Sequence, residues 1–337
     1  MKNTERKIVR ARAVVSLMAL ALLAVGCAGK KEEAAGFATP EAAVAALVAA
    51  FEKDDTAALA RLLGPGTEDL LSSGDPVADK TDRADFLASY KAKNSLAADG
   101  DKMTLTVGDN EWPMPVPLVQ RDGKWFWDGA AGVDEVIYRR VGENELGAID
   151  VMYGYVNAQN AYASEGRDGD PAGIYALKLI SDEGMHNGLF WPTAEGETPS
   201  PAGPFVAGAA AEGYAAGART PYHGYYYRML YAQGANANGG AREYFKDGVL
   251  TEGFAGIAWP ADYGVSGVMT FIVNHDGVVF QKDLGEDTAT VVETIQKFDP
   301  DSTWTAIVPP ELSGEAPAAN EAAPASWVGG VCDRGLV

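Results

Sequence analysis

A chain of 337 residues, 47% of them hydrophobic, is long enough to bury a substantial core and has the length of about two domains, which excludes disorder throughout. Its formal net charge of −20 excludes general affinity for nucleic acid or anionic lipid surfaces. With only two cysteines, Cys27 and Cys332, a disulfide framework and a zinc site built of cysteines are excluded as well.

The charge is uneven. Lys2, Arg6, Lys7, Arg10 and Arg12 precede an apolar run from Ala13 to Val25, and "LLAVGCAGK" follows. A basic segment, a short apolar run and small residues before a cysteine read as a signal peptide over residues 1–26 rather than a spanning helix. Ala24-Val25-Gly26-Cys27 resembles the bacterial lipobox, in which the cysteine is acylated and becomes the new N-terminus. That resemblance implies lipidation at Cys27 and a protein held at a membrane by its acyl chains. Ala28 after the cysteine resembles the pattern of lipoproteins sent to an outer membrane, facing the periplasm. The alternative is ordinary cleavage nearby, with Cys27 an incidental thiol.

Residues 27–38 are small, charged and without periodicity, which suits a tether. Thr39-Pro40-Glu41 then reads as an N-cap, a proline at the first helical position and an early acid. Ala43, Leu47, Ala50 and Phe51 lie on one face of the helix that this opens. Short helices are expected over 56–63 and 82–96, then strands at 103–107, 116–120 and 124–127, with Asp122-Gly123 as a hairpin turn. Residues 39–131 therefore form a small α+β domain, whose opening "TPEAAVAALVAAFEKDDTAALARLLG" resembles the nuclear-transport-factor-like cone fold.

A second domain is expected over 132–310. Its longest helical pattern runs over 134–165, where Leu146, Ile149, Met152, Tyr153, Val156, Asn160 and Ala163 recur at three and four. A glycine- and proline-rich connection leads to strands at 224–231, 253–259, 267–274 and 278–282, an antiparallel meander laid on the long helix. From residue 311 the composition turns to Ala, Pro, Glu and Gly, as in a disordered tail. The fold class is thus α+β, a small α+β domain followed by a long helix packed on an antiparallel β-meander.

"NELGAIDVMYGYVNAQNAYAS", "HNGLFWP", "PYHGYYYRMLYAQG" and "YGVSGVMTFIVNHDGVVFQKDLG" resemble, in that order, the bacterial family catalogued as domain of unknown function 2950. The resemblance carries no catalytic residues with it. The long helix followed by a meander is also similar to type IV pilins and pseudopilins. In those proteins the helix continues an apolar N-terminal segment, whereas here about a hundred residues of another domain precede it. The resemblance implies a pilin-like head placed in a lipoprotein.

Four residue groups invite a functional reading. Alternation in "PYHGYYYRMLYAQG" sends Tyr225, Tyr227, Met229 and Tyr231 to one face of a strand and Tyr226, Arg228 and Leu230 to the other. Tyr222, His223, Tyr225, Tyr227 and Arg228 are therefore the candidate ligand-binding set, a core strand being the plainer reading. His223 could act as a base only with a nucleophile and a carboxylate beside it. Asp168-Gly169-Asp170 has the opening of a calcium loop but lacks a distal glutamate, so calcium is weighed there against a solvated turn. Trp112, Trp125, Phe126 and Trp127 fill a domain core or line a small pocket.

These readings converge on a lipid-anchored envelope protein acting as a non-catalytic binding or structural module, with no required cofactor. Its partners are the membrane, through the anchor, and another envelope protein or a glycan, with no nucleic acid. The alternative is a small-ligand carrier or enzyme using the tryptophan-rich pocket or the His223 loop.

Overall fold

The computed structural model describes residues 34–193, 196–215 and 220–307, so the expected signal segment, Cys27 and the expected tail from residue 311 lie outside the described residues. In chain order the elements begin with α1 (Pro40–Glu52), α2 (Thr56–Leu63), α3 (Glu68–Leu71) and α4 (Pro76–Ala92). Strands β1 (Asn94–Asp99), β2 (Lys102–Val107), β3 (Trp112–Pro113), β4 (Leu118–Arg121) and β5 (Lys124–Trp127) follow. The chain then enters α5 (Gly129–Ala163).

Side chains at the helix starts set these boundaries. Thr39 accepts from the Ala42 amide at 3.2 Å, and Asp55 accepts from Ala58 at 2.8 Å. Asp75 accepts from both Val77 and Ala78, and Pro76 takes the first helical position. This cap starts α4 at Pro76, six residues before the expected Asp82, because the Asp-Pro pair satisfies orphan amides as Thr-Pro does in α1. The helix also ends early. Residues 94–99 form β1, turning through Gly100-Asp101 into β2, where the sequence pattern had extended the helix to 96. Ordered contacts begin ahead of Thr39, since Phe37 exchanges two main-chain bonds with Trp125 at 2.8 and 2.7 Å.

Sheet one runs β1-β2-β4-β5, with β3 beside β2. Its core gathers Ala43, Leu47, Leu59, Leu105, Leu118 and Trp127. The Trp127 ring is buried there and its Nε1 donates to Ala43 O at 3.1 Å, a site that satisfies both its apolar body and its polar edge.

At 35 residues, α5 is long enough to serve both halves of the molecule, about 52 Å at 1.5 Å per residue. It starts at Gly129, earlier than the expected 134. Gly129 and Gly132 weaken a helix on propensity alone. Here a Cβ at Gly129 would overlap the backbone of Leu63, and one at Gly132 would meet Val116 Cγ2 at 2.6 Å, so close packing selects glycine. Further along, Ala148, Met152 and Val156 enter the second core, and Ala158 and Tyr162 enter a third with Leu189 and Trp191.

The expected connection holds α6 (Gly203–Glu212), and beyond it come β6 (Tyr225–Leu230), β7 (Ala232–Gln233), β8 (Arg242–Glu243), β9 (Phe245–Lys246) and β10 (Val249–Leu250). The described residues close with β11 (Ala255–Pro260), β12 (Met269–Asn274), β13 (Phe280–Asp283), α7 (Thr288–Val291), a 3-10 turn Val292–Thr294 and β14 (Thr305–Ala306). Sheet two has the order β14-β13-β12-β11-β6, an antiparallel meander with β6 at one edge. The fold is mixed α+β, with a long helix and a β-rich C-terminal region.

Helix α5 covers only one face of this sheet. Val292, Ile295 and Phe298 cover the other, with Phe298 edge-on to Phe280 at 5.9 Å. Burial on both sides explains why β12 reads "MTFIVN", an apolar run rather than an alternation.

Candidate functional site

The tyrosine-rich segment is divided by the fold into two places. Its first part is a tight turn. Tyr222 and Tyr225 exchange N–H···O bonds at 2.9 and 3.1 Å, and the two residues between them, His223 and Gly224, have φ of 50° and 66°. Two successive positive φ values define the hairpin turn that matches strand twist. The same device recurs at Asp122-Gly123 and Asp247-Gly248, with histidine here in the aspartate position.

Around this turn a polar cluster joins the halves of the chain. Asp75 is buried; its Oδ1 caps α4 while its Oδ2 accepts from the Tyr214 hydroxyl at 2.7 Å and from the Gly224 amide at 3.4 Å. Tyr214 meets the Tyr222 ring edge-on at 4.9 Å, and Tyr222 lies 4.2 Å from the His223 ring. Loss of solvation holds the His223 imidazole below its ordinary range, against the pull of Glu212, Asp75 and Asp150. The same desolvation, with Glu212 beside it, pushes the Tyr222 hydroxyl up to about 12. The cluster consists of packed, internally bonded groups.

Tyr225 belongs to the core. Its side chain is fully buried, and its hydroxyl donates to Met269 O at 2.9 Å. Alternation assigned the faces as the structure has them: Tyr225 packs with Phe271 on the α5 side, while Tyr226 and Arg228 meet Trp259 on the other. Arg228 Nη2 donates to the carbonyls of Val292 and Ile295 at 2.6 and 2.7 Å, which fastens the covering segment to the sheet.

The second part of the segment lines a groove of about 590 Å³ along the outer edge of β6. One wall is Tyr227 to Ala232; the other is Leu177, Lys178 and Leu179, with Glu243, Gln296 and Lys297 at the end. Leu177, Leu179 and Tyr231 are 37, 50 and 38% exposed, unusual for large apolar side chains gathered in one place. Tyr231 donates to Leu177 O at 2.9 Å across the groove, and its ring lies 5.4 Å from Phe245, itself 43% exposed. The Leu177–Leu179 wall is held from behind, because Lys178 O and Leu179 O accept from the Leu189 and Phe190 amides at 3.0 and 2.7 Å.

Of the sequence candidates, Tyr227 and Arg228 reach this groove, while Tyr222, His223 and Tyr225 do not line it. Leu177, Leu179 and Tyr231 were not singled out as site residues. "YALKLIS" is an apolar run of strand composition inside the glycine- and proline-rich connection, and that run is the signal the sequence offers for this wall.

The Asp168-Gly169 pair is a fourth hairpin-type turn, with φ of 50° and 94° between the mutually bonded Arg167 and Asp170. Asp168 accepts from the His186 amide at 2.6 Å and lies 3.0 Å from its Nδ1, contacts that hold its carboxyl below the usual range. Both its oxygens are thus engaged. Among the described residues no group of three or more His, Cys, Asp or Glu side chains is placed to hold a metal ion. His275, the remaining histidine, sits in the β12–β13 turn with Nε2 2.9 Å from Arg242 Nη2. In the tryptophan cluster, Trp127 is in the core, Trp125 bridges Phe37, and Arg139 stacks over Trp112 at 5.5 Å.

A family model described as protein of unknown function DUF2950 matches residues 34–307, nearly the whole of the described chain. The chain belongs to the DUF2950 family. No curated protein and no solved structure matches it significantly. The DUF2950 match runs from just before the Phe37–Trp125 pairing to just after β14, so it takes in both sheets, α5, the Asp75 cluster and the β6 groove.

Proposed function

We propose that this DUF2950 protein is a lipid-anchored component of the cell envelope that acts as a binding module, taking its partner in the groove beside β6. The observation that carries the binding reading is the exposure of Leu177, Leu179 and Tyr231 around one concave surface. Apolar surface of this kind is costly to leave in water and commonly marks an interaction site. The anchoring reading rests on the basic and apolar N-terminal segment ending at Cys27. A long helix laid across an antiparallel meander supports a pilin-like head for the C-terminal half, held here by a lipid instead of an apolar helix extension.

The experiment has two arms. Replacement of Cys27 by alanine is expected to release the chain from membranes, and unchanged membrane association would defeat the anchoring reading. A photo-crosslinker at position 179 is expected to capture an envelope component in intact cells, and the capture should fall when Leu177→Glu is added. Crosslinking that is absent, or indifferent to Leu177→Glu, would defeat the groove.

A further inference from the structure

We infer that the groove takes an extended, acidic polypeptide segment, added as a short strand to the open edge of β6. This deepens the proposed binding function and rests on it.

The first ground is main-chain geometry. The Ala261 amide donates to Gly224 O, and the register pairs Tyr226 with Trp259, Arg228 with Ile257 and Leu230 with Ala255. In an antiparallel ladder alternate residues turn their N–H and C=O groups toward the same neighbour. Tyr226, Arg228 and Leu230 therefore serve β11, and the groups of Tyr227 and Met229 point outward. Sheet two ends at β6, and among the described residues no main-chain bond reaches these four outward groups. The edge is closed at both ends: Tyr225 bonds back to Tyr222, and Tyr231 O accepts from the Tyr244 amide at 3.0 Å. What is left is a slot for two pairing residues, matched by a segment of about four residues, about 13 Å at 3.3 Å each.

The second ground is what surrounds the slot. A strand placed there projects alternate side chains toward the two faces of the sheet. Leu177, Leu179 and Tyr231 offer apolar contact to such a segment. The charged lining is Lys178, Arg228 and Lys297 against Glu243 alone, a basic lining on a chain whose net charge is −20. Lys178 and Arg228 are partnered by Asp182 and Glu293, outside the lining, and Lys297 by Glu243 within it. Charge complementarity selects a partner bearing carboxylates. Main-chain bonds then supply attachment and the flanking side chains supply selectivity, the mode by which exposed sheet edges recognise peptides.

The test uses the full chain in detergent and an acetylated, amidated octapeptide alternating valine and glutamate. Titration is expected to show saturable binding, and hydrogen exchange is expected to slow at the Tyr227 and Met229 amides. Affinity should fall about tenfold or more, for the loss of one or two hydrogen bonds, when alternate peptide amides are N-methylated. A lysine octapeptide should be weakened about as much. Leu179→Glu, at a half-exposed position, should abolish binding without changing the melting temperature. Equal affinity for the N-methylated peptide, unprotected Tyr227 and Met229 amides, preference for the lysine peptide, or concentration-dependent self-association through this edge in place of peptide binding would each overturn the inference of an added acidic strand. Persisting crosslinks from position 179 would then leave the groove as a binding site for another ligand, so the two readings fail separately.

Discussion

His223 rests directly on Gly147. A Cβ atom added to that glycine would lie 2.8 Å from the imidazole Cγ and 3.0 Å from Nδ1, closer than carbon atoms pack. The helix carrying Gly147 and the turn carrying His223 are thus fitted to one another at the join between the α5 seam and the β6 hairpin. Gly147→Ala is expected to destabilise the protein by about 1–3 kcal/mol, an overpacking cost that exceeds the helix-propensity gain of alanine. The double variant with His223→Ala should recover part of the loss, because the two positions share one space. Additive losses in a denaturation cycle would show that they do not.

His223 also sets a pH dependence. Its environment disfavours the charged ring, so the folded chain binds this proton less readily than the unfolded chain, whose histidine titrates near 6.5. Below about pH 6.5 the unfolded state takes up the proton first, and stability falls as pH drops from there through the lowered folded value. His223→Asn suits the positive φ of 50° and carries no titrating group. Wild type minus variant stability, measured by urea unfolding from pH 8 to pH 5, is expected to decline on the acid side. A flat difference would mean that the ring is solvated in the folded state.

Buried polar groups without partners are a second source of testable energy. Thr270 lies wholly inside the second core on β12, and its Oγ1 has no hydrogen-bond partner among the described residues. Valine has nearly the same shape and no hydroxyl to desolvate. Thr270→Val is expected to raise stability by about 1 kcal/mol, seen as a higher urea midpoint with an unchanged slope. A loss of stability would show that the hydroxyl is satisfied after all.

Much of the fold was legible because local signals and burial agreed. The Thr39-Pro40 cap, the Asp122-Gly123 turn and the β11–β13 meander each point to one structure, and each is present. Two kinds of feature were not legible. Close approach hides in glycine: Gly129 and Gly132 look like a helix break until Leu63 and Val116 are set against them. Long-range polar contacts hide in ordinary residues: Asp75 and Tyr214 are 139 positions apart, and neither has a pattern of its own. For the same reason Asp168-Gly169-Asp170 resembled an ion loop in sequence, since a positive-φ turn and a calcium loop both favour aspartate and glycine. The groove was missed at its Leu177–Leu179 wall, where a strand-like run lies inside a loop-rich stretch.

Asp75 uses both of its carboxylate oxygens. One carboxylate oxygen caps the first turn of α4 at Val77 and Ala78, and the other receives Tyr214 at 2.7 Å and the Gly224 amide. Removing only the hydroxyl, in Tyr214→Phe, leaves the ring contact with Tyr222 in place and is expected to cost about 1.5–3 kcal/mol, the range for a hydrogen bond to a charged group. Asp75→Ala should cost more than Tyr214→Phe, because it also removes a helix cap worth about 1 kcal/mol and strands the Tyr214 hydroxyl. Combining the two should add less than the sum of the single losses, since both act on the same bond. Hydrogen exchange gives an independent reading: Tyr214→Phe should speed exchange at the Gly224 amide, which shares Oδ2, while the amides of Val77 and Ala78 on Oδ1 keep their protection. Equal acceleration at all three amides would mean that the carboxylate is held as one unit and that its two oxygens do not divide the work between helix cap and hairpin.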